Sequence, residues 1–168
     1  MSATPERLAW LREQLGGQIA EAPVAGEIFR PRGAWGDRPA RLRRFVFRRL
    51  GMGRGLHELE RGMGVLNLAV ATQSRLHLFA LRGRRGGIDV GDELVSWPLP
   101  GLELKTERRS VETTRFSGDA YTRHKSKILV LRIQPPGEPA LRIDLAAGRD
   151  ASALVSALRS LSQPSAGA

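Results

Sequence analysis

The strongest constraint on this chain is a pair of hairpin signatures. VLNLAVAT (65 to 72) is a nearly continuous apolar run of strand length; the polar pair Gln73-Ser74 follows, and then RLHLFALR (75 to 82). A two-residue polar break between two such runs predicts a tight reversal. Further on, KILVLRIQ (127 to 134) and ALRIDLA (140 to 146) flank the turn PPGEP, with Leu141, Ile143 and Leu145 alternating onto one face. PVAGEIFRPRG, starting at 23, reads as an earlier strand ending in a Pro-Gly turn. LVSWPL (94 to 99) follows, its Pro98 suited to an edge or a strand end, and then LELKTERRSVETTR (102 to 115), where Leu102 and Leu104 alternate with charge. RGRRGGIDVGDE (82 to 93) reads as a polar, glycine-rich loop, and FSGDAYTRHKS (116 to 126) as a loop or a hairpin extension. Successive hairpins predict a mainly β protein built on an antiparallel sheet of about seven strands. Its apolar face must pack on something, and a single helix can plug a half-open barrel of that kind.

Two amphipathic segments supply helices. At the amino end, Thr4-Pro5-Glu6 joins a capping oxygen, a proline at the first helical position and an acid near the positive helix end. Leu8, Leu11 and Leu15, continued by Ile19, form a stripe that Gly16-Gly17 ends or weakens. This stripe docks either on the body of the protein or on a partner. At the other end, Asp150 is read as the cap of a helix carrying Leu154, Val155, Leu158 and Leu161. The expected organisation is an N-terminal helix within 1 to 21, a single domain over 22 to 162 with an insertion at 37 to 61, and a disordered small-residue tail over 163 to 168.

The serial order of AGEIFRPRGAWG, LNLAVATQSRLHLFAL, ELVSWPLPGLELKTE, LVLRI and ALRIDLAAGRDASALVSALRSL resembles the bacterial pleckstrin-homology-like (PH-like) domain proteins of actinobacterial type. The resemblance covers most of 22 to 162. It implies a bent antiparallel sandwich of seven strands closed by a C-terminal helix. The chain departs from the family pattern at 37 to 61 and at 105 to 127. The resemblance implies little about function, because that fold hosts lipid, peptide and protein binding alike.

No pattern points to catalysis. The chain contains no cysteine, which excludes disulfides, thiolate metal sites and a cysteine nucleophile. His57 sits in LHELE without the second histidine of a zinc-binding HExxH motif and reads as a surface or capping residue. His77, between Leu76 and Leu78, either points out from the sheet or is hydrogen-bonded at its edge; His124, between Arg123 and Lys125, reads as solvated charge. There is no G-x-S-x-G elbow, and GMGRGLHELERGMG lacks the G-K-[ST] of a phosphate-binding loop. We therefore expect no enzyme activity, no catalytic or metal-binding residues and no cofactor. The absence of a long apolar run and of a signal-peptide layout places the chain in the cytoplasm, with membrane association as an option.

The net charge is +10, and only three of the 27 basic residues are lysine (Lys105, Lys125, Lys127). Arginine-biased codon usage accounts for part of that excess, so its placement is more informative than its size. Residues 22 to 64 carry ten basic and four acidic side chains. Within them ARLRRFVFRRLGMGRG (40 to 55) forms an imperfect basic amphipathic helix. Leu42, Phe45, Val46 and Leu50 share an apolar anchor face, while Arg41, Arg44 and Arg48 lie opposite. With Arg30, Arg32, Arg43 and Arg49 these arginines define a candidate anion- or partner-binding surface. By the resemblance, the connection after the first strand is where lipid-binding members carry basic residues, although their spacing is not reproduced here. The leading reading is a non-enzymatic adaptor domain working through contacts with an unidentified protein partner. Peripheral binding to an acidic membrane surface through 30 to 49 comes second and nucleic-acid binding third, since few aromatics are present to stack bases.

Overall fold

A computed structural model describes residues 2–31, 59, 63–64, 66–84, 87–117 and 120–163. Two helices and seven strands can be given bounds among these described residues, in the order α1 (Pro5–Leu15), β1 (Ala25–Pro31), β2 (Asn67–Ala71), β3 (Arg75–Arg84), β4 (Gly87–Pro98), β5 (Glu103–Ser117), β6 (Ala120–Gln134), β7 (Leu141–Ala146) and α2 (Arg149–Ser162). All strand pairings are antiparallel and the sheet order is β4-β3-β2-β1-β7-β6-β5. The sheet is open, with β4 and β5 as its outer strands. It nevertheless bends on itself: Trp97 at the end of β4 donates from Nε1 to Glu138 Oε1 in the β6–β7 turn at 3.2 Å. Gly137 in that turn has φ +75°, a left-handed conformation glycine adopts without strain.

The two hairpins form where the apolar runs placed them. Thr72 N–H donates to the Arg75 carbonyl at 2.9 Å, and Gln73-Ser74 turns the chain. Two expectations are corrected. Residues 82–84 and 87–93 are strand rather than loop: β3 runs to Arg84 and β4 begins at Gly87, paired through Arg82↔Asp89 and Gly83↔Ile88. Backbone pairing with β3, together with Val90 packed against buried apolar residues, holds this glycine-rich stretch extended, and its glycines and charges hide that pairing from a sequence pattern. Nor does Asp150 cap the last helix. The N-cap is Gly148, without a side-chain bond, and Asp150 lies inside the first turn.

Burial explains why the run over β2 reads as continuous rather than alternating. The main core, between one face of the sheet and α2, takes Ala69 and Ala71 with Leu76, Leu78, Leu131, Leu141, Ile143, Leu145, Leu154 and Leu158. The opposite face of β2 supplies Leu68 and Val70 to a second cluster with Phe79, Leu11 and Leu15. The sheet is thus covered by α2 on one side and, over β1–β3, by α1 on the other. Every residue of β2 is buried. At the end of the β1–β2 connection, Met63 is buried and Leu59 packs against the main core.

Polar contacts fix α1 in place. Thr4 Oγ1 accepts from Arg7 N–H, the expected cap. Asp150 Oδ1 accepts the Thr4 N–H at 2.8 Å and Oδ2 the Thr4 hydroxyl at 3.3 Å, so the starts of the two helices are joined. Arg7 pairs with Glu27 of β1 and lies 5.2 Å from the centre of the Trp10 ring. The Glu27 carboxyl, in a side chain only 15% exposed, is pushed above its ordinary range by burial, against the pull of Arg7. No helix among the described residues is long and apolar enough to cross a membrane.

Candidate functional site

Strands β5 and β6 outrun the sheet that holds them. Their register extends from Glu103↔Gln134 to Ser117↔Ala120, whereas β7 covers β6 only between Ile128 and Ile133. Residues 110–117 and 120–127 therefore project as a two-stranded ribbon, and the segment read as a loop or a hairpin extension is the extension. Side chains alternate faces along a strand. On β6 the face that buries Leu129, Leu131 and Ile133 continues outward as Lys127, Lys125 and Arg123, all exposed. On β5 the same face runs from Leu104 and Thr106 to Arg108, which lies opposite Leu129. One face is thus apolar under α2 and cationic beyond it, because the cover ends where α2 begins at Arg149.

Two depressions flank this change of character. A groove of about 310 Å³ lies between outer strand β5 and α2. Thr106, Arg108, Leu129, Val155, Ser156 and Arg159 line it, and the Arg159 guanidinium donates to the Thr106 hydroxyl across it. A wider cleft of about 500 Å³ sits at the foot of the ribbon, walled by Arg108, Lys127, Ile128, Ala147, Gly148 and Ser152. Arg109 also reaches this cleft, but its guanidinium is held by Glu107 through bonds of 2.7 and 2.9 Å. That hydrogen bond keeps the Glu107 carboxyl below its ordinary range and raises the Arg109 guanidinium. Arg108, Arg123, Lys125 and Lys127 take part in none of the ion pairs formed among the described residues.

Of the sequence-derived candidates, Arg30 is described. It lies half-buried on β1, opposite Asp144 in the β1–β7 register, and it has interactions of its own there. Arg32, Arg41, Arg43, Arg44, Arg48 and Arg49, the anchor face Leu42, Phe45, Val46 and Leu50, most of the insertion at 37 to 61, and residues 164–168 lie outside the described residues. His77 is buried on β3, its Nδ1 2.6 Å from Glu93 Oε1 on outer strand β4 and its ring stacked near Phe79. Of the two placements the sequence allowed, this is the hydrogen-bonded one. Glu21 accepts both the hydroxyl and the N–H of nearby Ser74, and the hydroxyl bond is the main reason its carboxyl lies below its ordinary range. No group of three or more metal-ligating side chains comes together among the described residues.

The cationic face of the ribbon and the β5–α2 groove were not among the sequence-derived candidates. A faint signal was present: all three lysines of an arginine-biased chain fall between 105 and 127. No family model, curated protein or solved structure matches the chain.

Proposed function

We propose that this chain is a non-enzymatic adaptor domain of PH-like architecture that accepts an extended segment of a partner protein as an additional strand along β5. The observation that carries this reading is the groove between β5 and α2. An outer strand turns every second N–H and C=O away from the sheet, and an extended peptide can satisfy them while lowering alternate side chains into a neighbouring groove. Leu129 and Val155 offer that groove an apolar floor, and Arg108 and Arg159 offer it positive charge. The fitting ligand therefore alternates apolar residues with acidic ones. The strand order β4-β3-β2-β1-β7-β6-β5, with a C-terminal helix sealing one face, supports the PH-like assignment.

The test is selection from a random-peptide display library against the full chain. Enriched peptides are expected to alternate apolar and acidic residues, to cross-link through Lys105 on β5, and to lose binding when Ser156→Trp fills the groove. Ser156 is half-buried on α2, and the far-UV circular dichroism of the variant should match that of the parent. An empty selection, or peptides that bind Ser156→Trp equally well, overturns the reading.

A further inference from the structure

The structure assigns the β5–β6 ribbon a second role, as an arm that binds the phosphate backbone of double-stranded DNA without regard to sequence. The surface adjoins the peptide groove and shares Arg108 with it, but Lys127, Lys125 and Arg123 lie outside that groove, and neither role depends on the other.

The ribbon is not required to complete the sheet. Beyond Ile128 no third strand pairs with it among the described residues, and its described residues from Arg123 to Lys127 add nothing to either core cluster. Its inner face instead presents Arg123, Lys125 and Lys127 at every second position, followed at the foot by Arg108 across from Leu129. Two residues of strand advance by roughly 6.7 Å, so these four cations are spread evenly over about 20 Å. Glu112, opposite Lys125, is the one carboxylate on that face among the described residues from 108 to 112 and 123 to 129. Four regularly spaced cations set against one carboxylate leave an excess of positive charge that suits a regularly charged polymer, and duplex DNA carries one negative charge per about 1.7 Å of its axis.

Shape distinguishes this partner from a lipid surface. The cationic face is continuous with the face that α2 covers, so the row is one wall of a step whose other wall is the chain at Ala147, Gly148 and Ser152. Lys127 and Arg108 stand at the bottom of that step, in the cleft of about 500 Å³. A flat bilayer does not reach into a step; a rounded sugar-phosphate backbone does. The ribbon also has suitable dimensions, since the major groove of B-DNA, about 12 Å wide, admits a two-stranded β-ribbon. The ribbon lies away from the point at which the chain leaves β1. Pro31, at that point, pairs with Ile143 near the beginning of β7, whereas the ribbon projects past Ala146 at its end.

Binding of a fluorescent random-sequence DNA duplex to the full chain, followed by anisotropy between about 50 and 200 mM salt, tests the assignment. The parent should bind, with an affinity that falls steeply as salt rises. Arg123→Gln/Lys125→Gln/Lys127→Gln should bind less tightly at low salt. Its slope of log affinity against log salt should be shallower by about 2.7, so that the parent loses roughly 40-fold more affinity than the variant across that range. The corresponding triple change to Glu should abolish binding. All three positions are exposed, so the melting temperatures should agree with that of the parent, separating lost binding from lost fold. Parallel measurements use acidic vesicles, poly-glutamate and a variant with Arg43, Arg44, Arg48 and Arg49 changed to Glu. The assignment is overturned if the parent does not bind the duplex, or if the ribbon variants keep its affinity and salt slope while the arginine variant loses binding. It is equally overturned if the ribbon variants lose vesicle or poly-glutamate binding but not duplex binding.

Discussion

Replacing Gly26 with alanine tests whether the apolar face of α1 is consumed by the fold. Gly26 lies on β1 beneath α1, and a Cβ built there would stand 2.9 Å from Leu11 Cδ1, 3.1 Å from Leu11 Cδ2 and 3.1 Å from the Ala69 carbonyl oxygen. Leu11 cannot swing aside, because it is 0% exposed and its neighbours Leu15, Leu68, Val70 and Phe79 are at most 1% exposed. The helix must therefore lift. Overpacking of this kind costs about 1–3 kcal/mol. Gly26 does not have a positive φ, so alanine also restricts the unfolded chain and recovers about 0.4–1 kcal/mol. The net expectation is a loss of roughly 0.5–2 kcal/mol, or about 1–8 °C in Tm for a chain of this size. A double-mutant cycle in urea gives the sharper readout. Leu11→Ala alone should cost about 2–5 kcal/mol, yet it removes both methyl groups that Gly26→Ala strikes. In that background Gly26→Ala should be nearly neutral, with only the Ala69 oxygen left to yield. A coupling of about 1–2 kcal/mol should make the double variant more stable than the sum of the singles. Additivity within about 0.5 kcal/mol, or a stabilising Gly26→Ala, would refute the packing and leave α1 available to a partner.

Two further perturbations address the polar contacts that hold the helices. Burial raises the Glu27 carboxyl above its ordinary value of 4.5, so the folded state holds that proton more tightly than the unfolded state. Its contribution is full below about pH 4.5 and is lost as pH rises through the elevated folded value. Thermal melts from acidic to neutral pH should show the parent declining relative to Glu27→Gln, and a relative gain over that range would contradict the burial. Asp150→Ala removes the acceptor for the Thr4 N–H and hydroxyl and should cost about 0.5–1.5 kcal/mol in urea denaturation. Faster amide exchange at the start of α1 should accompany this loss, with Asp150→Asn closer to the parent; unchanged exchange would show that the carboxylate does not tie the helices together.

Local chemistry was sufficient for the β2–β3 and β6–β7 hairpins and for the existence of both helices. Gln73-Ser74 and PPGEP specify reversals through turn preferences that need no distant partner, and the helical stripes through Leu11 and Leu158 are set by spacing alone. Glycines at 83, 87 and 91 concealed the start of β4, since what pairs with that strand is the backbone of β3, a neighbour invisible to propensity. The continuous apolar run of β2 announced burial on both faces but not what covers each one. Tertiary structure decided that, with α2 over Ala69 and Ala71 and α1 over Leu68 and Val70. It also decided the candidate sites. Alternation along β6 sorts Arg123, Lys125, Lys127 and Leu129 onto one face only once 120–127 is a strand, which the sequence left open between a loop and a hairpin extension. Whether the face is core or open surface depends on where β7 stops and α2 begins. Those limits are set by packing between segments distant in the chain, which no local pattern of residues encodes.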